Sequence, residues 1–139
     1  MSATLLAGIS RTTEPRTMLR RFLALDALVT GVNGLAYAVA SGPLGRLLGV
    51  DAGVVLGLGV FLAVYGAGVG YLASRPQPPV AAVTCVIDAN LAWAVLSIAA
   101  LALWLEPSTA GAVWIPLQAM TVAAFAVLQW SALRAMARR

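Results

Sequence analysis

Residues 54–73 read VVLGLGVFLAVYGAGVGYLA, an apolar run that contains no charged residue. A helix of about 20 such residues crosses the roughly 30 Å hydrocarbon core of a bilayer. Three further apolar runs of similar length flank it, at about 22–40, 80–105 and 112–133. The sequence therefore predicts an all-α, polytopic membrane protein with four transmembrane helices.

The breaks between these runs contain residues that end helices. Gly42 and Pro43 lie in the first break, Pro76 in the second and Pro107 in the third. Connections this short join neighbouring antiparallel helices, so we expect an up-down four-helix bundle. Residues 18–139 would form this single domain, and residues 1–17 would form a polar N-terminal tail.

The composition agrees with a membrane protein and excludes several kinds of chemistry. The chain is 61% hydrophobic and 10% charged, whereas soluble domains carry about 25% charged residues. It has no histidine and a single cysteine, Cys85, so the commonest metal ligand and any internal disulfide are missing. Phosphate-binding glycine loops, nucleophile elbows and Cys-x-x-Cys motifs are absent from the sequence. We expect no cofactor, no metal and, because the basic residues flank apolar runs, no nucleic-acid partner.

The basic residues predict the orientation in the membrane. Four crossings place most of the arginines on one side: Arg11, Arg16, Arg20, Arg21, Arg75, Arg134, Arg138 and Arg139. Arg46 falls on the other side, with Asp51 and Glu106. The positive-inside rule then predicts a multi-pass protein of the inner (plasma) membrane with both termini in the cytoplasm.

Two aspartates, Asp26 and Asp88, lie inside the apolar runs. A carboxylate there costs about 2.5–3.5 kcal/mol on insertion scales, and it usually faces a bundle interior, a water-filled cavity or a partner. Both lie roughly 9–12 Å inside the cytoplasmic boundary at 1.5 Å per residue. If they face each other, the pair could exchange a proton, bind a cation or act as general acid and base. Alternatively, they are structural carboxylates that are hydrogen-bonded to Thr30, Asn33 or tyrosine side chains, or that Arg21 or Arg134 reaches from the membrane boundary.

Polar side chains form stripes along three of the predicted helices. The first stripe contains Asp26, Thr30, Asn33 and Tyr37; the last contains Trp114, Gln118, Thr121, Phe125 and Gln129. In the third helix, Asn90, Trp93 and Ser97 share a face, and Asp88 is about 200° away from Asn90. Asp88 and Asn90 cannot both face one cavity, so one of the two faces is predicted to meet a second protomer in a homodimer. Hydrogen bonding between helices is the alternative role for every stripe.

The second run carries small residues at helical spacing: Gly59, Ala63, Gly66 and Gly70. Small residues on one face let two helix backbones approach closely in a membrane. We expect this face to pack against a neighbouring helix, with Tyr65 able to hydrogen-bond to a carboxylate.

Two segments of the chain are similar to one another. NGLAYAV at residues 33–39 is similar to NLAWAV at 90–95, and Gly70–Arg75 is similar to Gln129–Arg134. A duplicated helical hairpin with parallel halves would explain the pattern. Coincidence in a chain rich in Ala, Leu and Val explains it equally well.

The segment GLAYAVASG at 34–42 resembles a segment of the small multidrug resistance transporters, which also have four short helices. Those transporters carry an essential glutamate in the first helix; Asp26 would take its place here, although the similar segment lies in a different helix. Over its whole length the chain resembles small four-helix membrane proteins of high-GC actinobacteria without assigned activity. That resemblance implies a fold and a membrane location, and no role.

Three functions remain open. The first is binding or transport of a small amphiphilic or cationic molecule in a polar intramembrane cavity, with Tyr37, Trp93 and Trp114 as cation–π surfaces. The second is a cofactor-independent isomerase or cyclase that uses Asp26 or Asp88 as acid and base on a lipophilic substrate. The third is an accessory subunit of a membrane complex. The candidate ligand-binding residues are Asp26, Thr30, Asn33, Tyr37, Asp88, Asn90, Trp93, Trp114, Gln118 and Thr121.

Overall fold

The computed structural model describes residues 14–138. Over that range the chain forms five helices: α1 (Pro15–Val39), α2 (Ser41–Leu48), α3 (Ala52–Ser74), α4 (Val80–Leu103) and α5 (Thr109–Ala137). All but α2 are long and apolar enough to cross a membrane. Large apolar side chains cover the outside of the bundle, among them Val64, Val95 and Met120. The protein is therefore an all-α, multi-pass integral membrane protein, as the sequence predicts.

Contacts between the helices show that neighbours run antiparallel. Gly34 of α1 approaches Gly59 of α3, and Gly31 approaches Gly66. Their order is reversed between the two helices, as an up-down bundle requires. α1 packs most extensively on α3, α4 packs on α5, and α1 also packs on α5, so that the helices follow one another around the bundle as α3, α1, α5 and α4.

The close approach of α1 and α3 confirms the role predicted for the small residues. A Cβ added at Gly34 would lie 2.8 Å from the Gly59 carbonyl oxygen and would overlap the Ala63 amide nitrogen. A Cβ at Gly66 would lie 2.8 Å from the Gly31 nitrogen. These neighbours are backbone atoms, which cannot rotate away, so the contact depends on glycine.

The arginine end of the bundle is the end at which α1 and α4 begin and α3 and α5 finish. There, the Arg20 guanidinium donates from Nε to the Ala73 carbonyl oxygen at 3.1 Å, which satisfies a carbonyl in the last turn of α3. The apolar core lies in this half of the bundle and includes Leu19, Leu23, Val83 and Ile87. The opposite end carries α2 and the α4–α5 connection.

The structure corrects the connection predicted between the first two spans. Gly42 and Pro43 are predicted to interrupt helical structure in the first break, but Ser41–Leu48, which contains them, forms α2. Pro43 lies in the first turn of this helix, where its missing N–H costs no hydrogen bond. Gly49 ends α2 with a left-handed φ of 70°, and the Ser108 amide donates to the Leu48 carbonyl at 3.0 Å. These contacts tie α2 to the start of α5.

The helix that contains the first apolar run begins before that run. α1 starts at Pro15, not near residue 22, because proline is favourable at the first helical position. Residues 15–17 of the predicted N-terminal tail are therefore helical, and residues 1–13 lie outside the described part of the chain.

Candidate functional site

Asp26 is the centre of a hydrogen-bonded network inside the bundle. Its side chain is 0% exposed. Thr30, one turn further along α1, donates from Oγ1 to Asp26 Oδ1 at 3.0 Å. The i, i+4 spacing that predicted a shared face thus produces a direct contact within α1.

Two amides from other helices donate to the second oxygen of the carboxylate. Asn90 of α4 donates from Nδ2 to Asp26 Oδ2 at 2.8 Å, and Gln129 of α5 donates from Nε2 to the same oxygen at 2.7 Å. Asn90 Nδ2 also contacts Gln129 Oε1 at 3.3 Å. Asn90 is 3% exposed and Gln129 is 0% exposed, so the network excludes solvent and lipid.

Tyr65 brings the remaining spanning helix, α3, into the network. Its hydroxyl lies 3.2 Å from Asn90 Oδ1 and 3.3 Å from the Val86 carbonyl oxygen. A donor on Asn90 Oδ1 holds the amide with its NH₂ group toward Asp26. All four spanning helices therefore contribute a side chain to one polar cluster, which we call the Asp26 network: Asp26, Thr30, Tyr65, Asn90 and Gln129.

Three side chains donate hydrogen bonds to the Asp26 carboxyl group, namely those of Thr30, Asn90 and Gln129. Buried polar groups are stable in proteins when they are hydrogen-bonded in this way. The chain itself thus satisfies Asp26, and the geometry fits the role of joining the helices.

Two members of the network, Gln129 and Tyr65, were not among the candidate ligand-binding residues. The sequence did indicate that Gln129 could contact Asp26. In an antiparallel bundle, a residue near the end of α5 lies at the depth of a residue near the start of α1. Depth counting at about 1.5 Å per residue would have paired Gln129 with Asp26.

A second feature is a groove on the side of the bundle, toward the end opposite the arginines. It has a volume of about 570 Å³ and lies between α1, α2 and α5. We call it the α2 groove. Its lining is Asn33, Ala36, Tyr37, Leu44, Leu47, Leu48, Thr109, Ala110, Val113, Trp114 and Leu117.

The polar atoms of the α2 groove come from few side chains. Trp114 donates from Nε1 to the Tyr37 hydroxyl oxygen across the α1–α5 boundary. Because the Tyr37 oxygen accepts this bond, its own O–H can still donate. Asn33 contributes an amide one turn further into the membrane. The groove thus combines an apolar wall with a small cluster of hydrogen-bonding groups.

Three other predicted residues lie between or beside these features. Trp93 of α4 donates from Nε1 to Gln118 Oε1 of α5 at 2.7 Å, and its ring stacks on Phe61 of α3 with centroids 6.0 Å apart. Gln118 also donates from Nε2 to the Ile115 carbonyl at 2.8 Å. Thr121 donates to the Leu117 carbonyl of its own helix at 2.9 Å. These contacts connect helices or close local hydrogen bonds.

Asp88 lies apart from all of these groups, on the exposed outer face of α4. The predicted conflict between Asp88 and Asn90 is resolved in favour of Asn90, which faces the interior. Asp88 therefore does not pair with Asp26. It lies about 200° around α4 from the buried Asn90, which is about 160° by the shorter way.

The single cavity expected from the stripes is divided in the structure. Asp26, Thr30 and Asn90 share the closed network, while Asn33, Tyr37 and Trp114 line the open groove. The fold and these two features define a helical membrane protein that contains a sealed polar centre and an accessible groove. Comparison with known proteins gave no match to a family model, a curated protein or a solved structure.

Proposed function

We propose that this protein binds a small, uncharged amphiphilic molecule in the α2 groove. One observation carries the proposal: an open groove of about 570 Å³ with an apolar wall and a Tyr37–Trp114 pair at its edge. Ligand sites are typically apolar concavities of about 300–1,000 Å³ with a few placed polar groups. The apolar part of the ligand would lie along Leu44, Val113 and Leu117, and its polar group would accept a hydrogen bond from Tyr37 or Asn33.

The lining favours an uncharged amphiphile over a cation. No carboxylate is among the residues that line the α2 groove. Asp26 is enclosed in its own network and Asp88 lies on the outer face of α4. A cation in the groove would therefore lose its hydration without gaining an opposite charge, and cation–π contact with Trp114 alone contributes about 0.5–2 kcal/mol.

Binding is also better supported than catalysis or transport through the bundle. An acid–base group must come within about 2.6–3.2 Å of the proton that it moves, and neither aspartate borders the groove. A route through the bundle would have to break the Asn90 and Gln129 contacts to Asp26. The third function, an accessory subunit, depends on the surface of α4 and is treated below.

The proposal is tested by equilibrium binding to purified protein in lipid nanodiscs. The probes are dansyl-labelled decanol, which is neutral, and dansyl-labelled decylammonium, which is cationic. Ala36 lines the groove and is exposed, whereas Ala24 is exposed on the same helix outside it. Ala36→Trp should lower the affinity for the neutral probe about ten-fold by filling the groove, and the matched control Ala24→Trp should leave it unchanged.

Two results would overturn this function. One is equal binding of the neutral probe by the wild type, Ala36→Trp and Ala24→Trp, which would indicate partitioning into the lipid. The other is binding of the cationic probe alone, which would place a negative group in the site.

We also propose that the arginine end faces the cytoplasm and that the α2 groove opens in the opposite leaflet. In a Cys85→Ser background, single cysteines replacing Gln77 and Glu106 probe the two ends. A membrane-impermeant maleimide applied to intact cells should label the cysteine at 106 and leave the cysteine at 77 unlabelled. The reverse pattern would invert the topology.

A further inference from the structure

Asp88 is a carboxylate on the outside of a membrane-spanning helix. It lies eight residues after the start of α4 at Val80, about 12 Å along the helix, and it is exposed. Thr84, one turn nearer the helix start, donates its hydroxyl to the Val80 carbonyl at 2.8 Å. Because ionisable groups in a membrane are nearly always paired or face a cavity, Asp88 requires a partner, and residues 14–138 of the same chain do not place one in front of it.

Arg134 is an exposed cation on the neighbouring helix α5. Its guanidinium lies 4.8 Å from the centroid of the Trp130 ring, which is also exposed. The contact between Asn90 and Gln129 shows that these two residues lie at the same depth along the bundle, so positions on α4 and α5 can be compared from there. From that level Asp88 is about 3 Å and Arg134 about 7.5 Å toward the arginine end, a difference that a long, flexible side chain spans.

Both side chains lie on the same outer face of the bundle. Around α4, Asp88 is about 160° from Val86, whose carbonyl contacts Tyr65 of α3. Around α5, Arg134 is about 160° from Trp114, which contacts Tyr37 of α1. Since α3 and α1 form the other side of the bundle, Asp88 and Arg134 both point directly away from that pair. Within one chain they therefore lie side by side and do not face each other.

We propose that the outer α4–α5 face binds a second copy of this chain, and that Asp88 of each copy pairs with Arg134 of the other. A two-fold axis along the membrane normal keeps both residues at their own depth and places α4 of one copy opposite α5 of the other. The ion pair then forms twice, as an isologous interface requires. Exposed apolar residues further from the arginine end, namely Leu91, Val95 and Val127, would complete the contact.

The choice of a second copy rests on charge complementarity. The same face carries both the anion and the cation at nearly the same depth, so the chain supplies the partner for its own aspartate. An unrelated partner would have to supply both a cation opposite Asp88 and an anion opposite Arg134. Desolvated pairs of this kind determine which partners associate more than they add to raw affinity.

The test uses charge reversal in two differently labelled chains. Association is measured by energy transfer in proteoliposomes for the wild type, for Asp88→Arg and for Arg134→Asp, each alone, and for an equal mixture of the two variants. Each variant alone places like charges opposite each other and should lower association at least about ten-fold. The mixture restores opposite charges at both positions, so Asp88→Arg chains should associate with Arg134→Asp chains. Glu106→Arg, a reversal at an exposed carboxylate outside this face, should associate like the wild type.

The mixture also controls for misfolding, because a variant that does not fold cannot be rescued by its counterpart. Preferred pairing of unlike variants would support the proposal. A monomeric wild type, or a mixture that associates no better than either variant alone, would overturn it. Co-purification of a different membrane protein with the wild type, lost in Asp88→Asn, would assign the face to an accessory-subunit role and would equally overturn it.

Discussion

The two halves of this bundle treat polar groups in opposite ways. In the half nearer the arginines, Asp26, Asn90 and Gln129 are at most 3% exposed and bond to one another. In the other half, α1 and α5 leave the α2 groove between them, and Tyr37, Trp114 and Asn33 line it. A polar residue within a span thus either forms hydrogen bonds between helices or contacts a ligand, and its environment determines which.

The comparison predicts the largest effect for breaking the Asp26 network. Replacement Asn90→Leu keeps the volume but removes a donor from Asp26 and leaves the Tyr65 hydroxyl with fewer acceptors. We expect a loss of about 3 kcal/mol in the free energy of unfolding, because the buried Asp26 carboxyl group loses a hydrogen-bond donor. Unfolding in mixed micelles with increasing denaturing detergent measures the change.

The control for this prediction is Ser97→Ala on the same helix. Ser97 is partly exposed and lies outside the network, so its replacement should change stability by less than about 0.5 kcal/mol. If Asn90→Leu were as stable as Ser97→Ala, the Asp26 network would not hold the helices together.

A second prediction concerns the close contact between α1 and α3 at Gly34. In Gly34→Ala, the new Cβ would meet the backbone of Gly59, Leu62 and Ala63 of α3. The helices would have to separate, and overpacking of this kind costs about 1–3 kcal/mol. The same unfolding measurement tests it.

Gly31→Ala is the matched control on α1. A Cβ at Gly31 meets nothing within 4 Å, and alanine has the higher helix propensity, so this variant should be neutral or slightly more stable. Equal destabilisation by both substitutions would mean that the α1–α3 contact at Gly34 does not determine the effect.

The spanning helices were predictable because each depends on a long apolar run, which is local in the sequence. Asp26 and Thr30 were also found from local spacing on one helix. The pairing of Asp26 with Asn90 and Gln129 depends on how α4 and α5 are rotated about their own axes. The sequence indicates which residues lie at the same depth, but it does not give this rotation. The α2 groove was not predictable, because one of its sides is formed by the short helix α2. Gly42, Pro43 and Gly45 lie in this helix but are typical of a turn.

Among the substitutions that remove a contact, Tyr37→Phe is expected to have the smallest effect on stability, and it best separates the two halves. The ring stays in place and only a hydroxyl at the edge of an open groove is lost, so the free energy of unfolding should fall by less than about 1 kcal/mol. Trp114 Nε1 loses its acceptor but lies where a ligand or lipid oxygen can replace it. Affinity for the neutral dansyl-decanol probe should nevertheless fall about five-fold, because a donor to the ligand is removed. A loss of stability as large as in Asn90→Leu, together with unchanged probe binding, would contradict this prediction. It would show that Tyr37 holds helices together, as the Asp26 network does, and that polar residues have this role in both halves of the bundle.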